Sequence, residues 1–137
     1  MVNLSRMRTL IGYERRLKLR YMKKLSDATK ITTQLTGMPR GSGNHSQVES
    51  GAIELAEVEE AYKEVFEELG QMRIELAPLI DTLDNDDDRG VLRLRYIDGW
   101  DLQQIPEAVC LSERAMFYHL AGGERKLMRT YPESVCK

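Results

Sequence analysis

Two thiols, Cys110 and Cys136, and two imidazoles, His45 and His119, are the whole supply of such groups in 137 residues. There is no CxxC pair and the histidines lie far apart, so neither a disulfide framework nor a structural zinc site is expected. No metal or other cofactor is expected either. Apolar runs are equally scarce. No window approaches the roughly 18 consecutive apolar residues of a membrane span. The first residues set Arg6 and Arg8 among Leu4, Met7 and Leu10, where a secretory leader has an apolar core. The expectation is a cytoplasmic protein with no membrane partner and two free thiols.

Catalytic constellations are also missing. Gly37, Gly41 and Gly43 do not form a GxxxxGK[ST] phosphate cradle, and no strand precedes them. Asp84, Asp86, Asp87 and Asp88 lack the glycine and the closing glutamate of a calcium loop. Glu59, Glu60, Glu67 and Glu68 fall on a solvated helix flank, and no nucleophile stands beside a base. An enzyme is not expected.

What is present is charge and helical pattern. The chain is 42% hydrophobic and 31% charged, with a mean hydropathy of −0.46. That lies in the globular range, tilted toward long solvated helices. The net charge of −2 conceals segregation. Residues 1–40 carry ten Lys/Arg against Glu14 and Asp27, net +8; residues 41–88 are net −12; residues 89–137 are net +2. A basic face for nucleic acid and a basic helix lying on the acidic one both fit.

From Leu4 to about Leu35, apolar residues recur at Leu4, Met7, Leu10, Ile11, Leu17, Tyr21 and Leu25, roughly one face of a basic amphipathic helix. Three glycines and Pro39 then make a loop over 37–44. A second helix begins near Ser46 or Ser50. It carries Leu55, Val58, Tyr62, Val65, Leu69, Met72, Leu76, Leu79 and Leu83 at alternating spacings of three and four. This is an a/d seam that another helix must cover. The first helix, returning antiparallel, covers part of it; the remainder predicts a homodimer or higher oligomer through Leu55, Val58, Tyr62, Val65, Leu69, Met72 and Leu76. Pro78 predicts a kink or a new helix start.

After the cap-rich stretch 84–88, short helices follow. Val91, Leu92, Leu94, Tyr96 and Ile97 form one, and Asp101 to Gln104 has the form of a capping box for a second. Ser112 caps a last helix through Met116, Leu120 and Leu127. Helix, tight turn and helix form the helix-turn-helix layout, whose second helix enters the major groove. Glu113, Arg114, Phe117, Tyr118 and Ala121 are expected on the face away from Met116 and Leu120. Arg114 suits guanine, Glu113 a cytosine amino group or the helix's own first turn, and Phe117 a thymine methyl. Gln103, Gln104, Ser112, Arg125, Lys126 and Arg129 complete the expected DNA contacts.

The run from Asp88 to Trp100, Leu102 to Ile105, and Leu111 to Arg114 resembles the promoter-reading C-terminal region of bacterial sigma factors. The whole arrangement resembles phage-encoded transcriptional regulators of the RinA/ArpU type, with Thr36 to Pro39 and Ser46 to Glu49 matching their loop and Ser-x-Val-Glu element. The resemblance implies a cytoplasmic regulator in a bacterial host cell that binds double-stranded DNA, contacts RNA polymerase and activates a phage or prophage late operon. Pro106 departs from the family's small helix-forming residue. Gly122 and Gly123 fall where its recognition helix continues, each costing about 1 kcal/mol relative to alanine. They mark a weak point in the last helix. The expected architecture is all-α, with a helical hairpin and coiled-coil module over 1–83 and a sigma-like helix-turn-helix domain over 84–137. Two other readings are a small terminase subunit, in which the usual order is reversed, and an adaptor that binds RNA polymerase without reading DNA.

Overall fold

A computed structural model describes the backbone of residues 1–37 and 43–137 and the side chains of 1–27 and 55–137. The fold is all-α. Two long helices, α1 (Leu4–Gly37) and α2 (Gly43–Ile80), precede α3 (Asp86–Leu92), a π-helical turn (Arg93–Ile97), α4 (Ile105–Val109) and α5 (Glu113–Thr130). Two short strands, β1 (Val2–Asn3) and β2 (Val135–Cys136), pair in parallel with Val2 opposite Val135. Most of the loop expected over 37–44 lies outside the described residues. The side chains of Ser46 to Glu49 also lie outside them, although their backbone is part of α2. Helix α2 starts at Gly43, ahead of the expected start.

Pro78 neither breaks α2 nor starts a new helix: α2 runs through it and ends at Ile80. Proline lacks the N–H that would bond the Ile74 carbonyl in the preceding turn, and α2 absorbs that loss two residues before its end.

Packing divides the chain into two units, Met1–Ile11 with Glu68–Lys137, and Gly12–Glu67. This division differs from one at 83/84, because the base of each long helix packs with the C-terminal helices. In the first unit Leu4, Met7, Leu69, Leu76, Ile80, Leu92, Tyr96 and Leu127 are all fully buried. Burial of each such aliphatic side chain is worth about 1.5–3 kcal/mol. Val91, Ile105 and Met116 form a further cluster, closed over by Leu94, Leu102, Val109, Leu111 and Leu120. That cluster holds α3, α4 and α5 together. In the second unit Leu17, Val58 and Val65 are buried, and Tyr21 hydrogen-bonds Glu59, which raises the phenol above its ordinary pKa.

The seam of α2 is therefore largely covered by the chain itself. Val58, Val65, Leu69 and Leu76 are buried, while Leu55, Tyr62 and Met72 keep partial exposure.

Candidate nucleic-acid interface

Local chemistry sets each turn of the C-terminal region. Asn85 caps α3, its Oδ1 accepting from the backbone N–H of Asp87 at 2.8 Å and of Asp88 at 3.1 Å. Gly99, at φ 68°, turns the chain after the π-helical segment. The capping box expected at Asp101 to Gln104 does not form. Gln104 donates its backbone N–H to the Asp101 carbonyl at 3.0 Å, closing a turn, and α4 starts only at Ile105, with Pro106 in its first turn. Proline is well suited there, because a first-turn N–H has no helical acceptor and the fixed φ is already helical. Cys110, at φ 56° and ψ 40°, ends α4 in the left-handed region. Ser112 then caps α5, accepting from the Ala115 N–H at 3.1 Å.

Helix α5 is unbroken through Gly122 and Gly123. The second glycine has a packing reason, since a Cβ on Gly123 would lie 2.7 Å from Leu92 Cδ1 and 3.2 Å from its Cγ. Tertiary contact at Gly123 outweighs the propensity penalty that marked a weak point. Met116, Gly123 and Leu127 are the buried side of the helix. With 3.6 residues per turn, the pole opposite them is Arg114, Tyr118, Ala121, Arg125 and Arg129, and all five are exposed.

All ten residues expected to touch DNA are exposed, and they separate into distinct surfaces. Glu113 and Phe117 stand on the flank of α5 facing α4. There, with Gln103, they line a groove that includes Asp101, Leu102, Pro106 and Glu107. Its three carboxylates repel phosphate. Tyr118, Arg125 and Lys126 line the opposite groove with Asn85, Asp88, His119, Gly122 and Arg129. Arg114 lies on the pole between the two flanks, Ser112 sits at the N-terminus of α5 and Gln104 at that of α4.

Sequence reasoning missed two polar clusters beneath this surface. Asp88, only 2% exposed, receives His119 Nδ1 on one oxygen at 2.7 Å and Lys126 Nζ on the other at 2.6 Å. It ties α3 to α5 and engages the ammonium of Lys126. None of the ion pairs among the described residues involves Arg114, Arg125 or Arg129, whose guanidinium groups face solvent. In the second cluster Arg8 Nη1 donates to the Tyr96 hydroxyl at 3.1 Å, and that hydroxyl donates to Glu124 Oε1. Burial first, and the bond to Glu124 second, push the Tyr96 phenol well above its ordinary range; Arg8 works in the opposite direction. Helical periodicity marked Tyr96 only as apolar and Arg8 only as basic.

The model of one protein family, described as protein of unknown function DUF1492, matches residues 34–128. No curated protein and no solved structure matches the chain.

Proposed function

The chain belongs to the DUF1492 family, and we propose that it is a sequence-specific DNA-binding transcriptional regulator of the RinA/ArpU type, an activator of a phage or prophage late operon. The observation that carries this reading is the outer pole of α5. Arg114, Tyr118, Arg125 and Arg129 share one exposed face of a helix that follows a tight left-handed turn and a serine cap. Such a helix fits the major groove. Arg114, in the first turn of α5, reads a guanine edge, and Arg125 and Arg129 hold phosphates. Ser112 and the free N–H groups beside it add a phosphate contact at the helix start. Glu113 and Phe117, on the flank, sit at the groove wall, with Glu113 favouring the helix's own first turn. With a C-terminal segment only +2 in net charge, single-site affinity is modest, so two linked copies on neighbouring half-sites raise occupancy.

Sheared DNA from the source genome, incubated with the protein at near-physiological salt, recovered and sequenced, tests the proposal. One sharp peak upstream of a structural or packaging operon is expected, and Arg114→Ala should flatten that peak while the helical circular dichroism is unchanged. A variant that keeps both affinity and site preference overturns the assignment of the recognition face. The carboxylate-lined groove of Asp101, Glu107 and Glu113 favours a second reading, an adaptor that docks on a basic surface of RNA polymerase. Absence of any enriched fragment, with retention of polymerase in a pull-down, would support that reading instead.

A further inference from the structure

We propose that the hairpin unit Gly12–Glu67 docks a second copy of this chain, through the side of the hairpin that carries Met22, Tyr62 and Phe66. The inference deepens the dimer in the function proposed above and rests on that reading only for its use on DNA.

Among the described side chains of this unit only Leu17, Val58 and Val65 are buried apolar groups, whereas Tyr13, Leu19, Met22, Leu25 and Phe66 are large and exposed. Two helices side by side cannot enclose a core, and this excess of exposed over buried apolar groups is what a further layer covers. The exposed groups are not evenly scattered. Lys18, Tyr21 and Met22 of α1 and Glu59 and Tyr62 of α2 border an apolar groove of about 400 Å³. Phe66, 54% exposed, extends that face by one helical turn and stacks on Tyr62 with ring centroids 6.1 Å apart.

Charge identifies the occupant. In the described part of this unit α1 carries Arg15, Arg16, Lys18, Arg20, Lys23 and Lys24 against Glu14 and Asp27. On α2 stand Glu57, Glu59, Glu60, Glu64 and Glu67 against Lys63. A second copy related by a twofold axis along the hairpin places each basic α1 over the partner's acidic α2. The alternative twofold, which sets α1 on α1, juxtaposes like charges. In the favoured arrangement Met22 of one copy meets the tyrosine and phenylalanine rings of the other, and the contact repeats by symmetry to give a four-helix bundle.

Sedimentation equilibrium of the full chain over a wide dilution series should give a mass twice 15.8 kDa. Met22→Glu with Phe66→Glu should weaken self-association about 30-fold, the loss typical of an interface anchor. As both side chains are exposed, the folded helical signal should persist. Met22→Cys with Phe66→Cys supplies a second readout, disulfide-linked dimers whose inter-copy bridge joins position 22 to position 66 by peptide mapping. A monomer at every concentration overturns the proposal. So does a dimer indifferent to the glutamates, an oligomer larger than two, or a groove occupied by a small apolar molecule in a monomer. Dimerisation without DNA binding would fail the proposed function and leave this inference standing. Half-site binding by a wild-type chain that stays monomeric would do the reverse.

Discussion

Adjacent glycines in α5 offer a measurement in which one residue is the control for the other. Gly122 and Gly123 share a helix, so alanine at either gains the same backbone term, about 0.5–1 kcal/mol. Only their surroundings differ. A Cβ at Gly122 meets nothing within 4 Å, whereas one at Gly123 falls 2.7 Å from Leu92 Cδ1, 3.2 Å from Leu92 Cγ and 3.6 Å from Asp88 Cβ. Leu92 is fully buried, so its side chain cannot swing into solvent. Overpacking of this kind costs about 1–3 kcal/mol, and because the propensity terms cancel, that cost is the expected stability difference between the two variants. Gly122→Ala should be more stable than wild type and Gly123→Ala less stable by about 1 kcal/mol net. Thermal unfolding followed at 222 nm should separate their midpoints by roughly 3–8 °C. Equal midpoints, or a Gly123→Ala variant above Gly122→Ala, would mean that α3 and α5 do not approach as closely as Leu92 and Gly123 require.

The two buried polar clusters yield further expectations. Asp88→Ala removes the acceptor of the half-buried His119 ring and of the exposed Lys126 ammonium and should cost about 1–3 kcal/mol in urea unfolding, mostly through the His119 nitrogen left without its partner; a loss below about 0.5 kcal/mol would show that the carboxylate is dispensable. Tyr96 stays protonated when folded at pH values where the unfolded phenol ionises, near pH 10. Its contribution is therefore complete below about pH 10 and lost as pH rises beyond it. Tyr96→Phe should lower stability at neutral pH and flatten its fall on the alkaline side, and parallel pH profiles for variant and wild type would refute the assignment.

Much of the fold could be read from residue spacing, and the exceptions share a physical origin. Three-four spacing along α2 and the serine at 112 depend on interactions within a few residues, and both act as expected. The capping box at Asp101 to Gln104 does not form because an N-cap at Asp101 would put Pro106 beyond the first turn, where its missing N–H leaves the Leu102 carbonyl without a helical donor; α4 starts instead at Ile105, with Gln104 as its N-cap residue. Gly123 was read as weak because propensity is local, whereas its close contact with Leu92 spans 31 residues of sequence. Asp88 looked like one more helix-capping acid in a row of four. Nothing local distinguishes the one that turns inward to meet His119 and Lys126. Within α5, counting turns from the buried Met116 and Leu127 places Arg114, Tyr118, Arg125 and Arg129 on the outer pole and Glu113 and Phe117 on a flank.

The pairing of Val2 with Val135 has a consequence for biosynthesis. Leu4, Met7, Leu10 and Ile11 leave the ribosome long before Val135 and Cys136, yet the unit that buries them includes the strand those two residues form. Until that strand has emerged the base of α1 has no completed core, and the unit assembles through contacts of long sequence separation, which slow folding. A nascent chain stalled shortly before residue 135 should therefore hold its two long helices while its first turns remain open to protease.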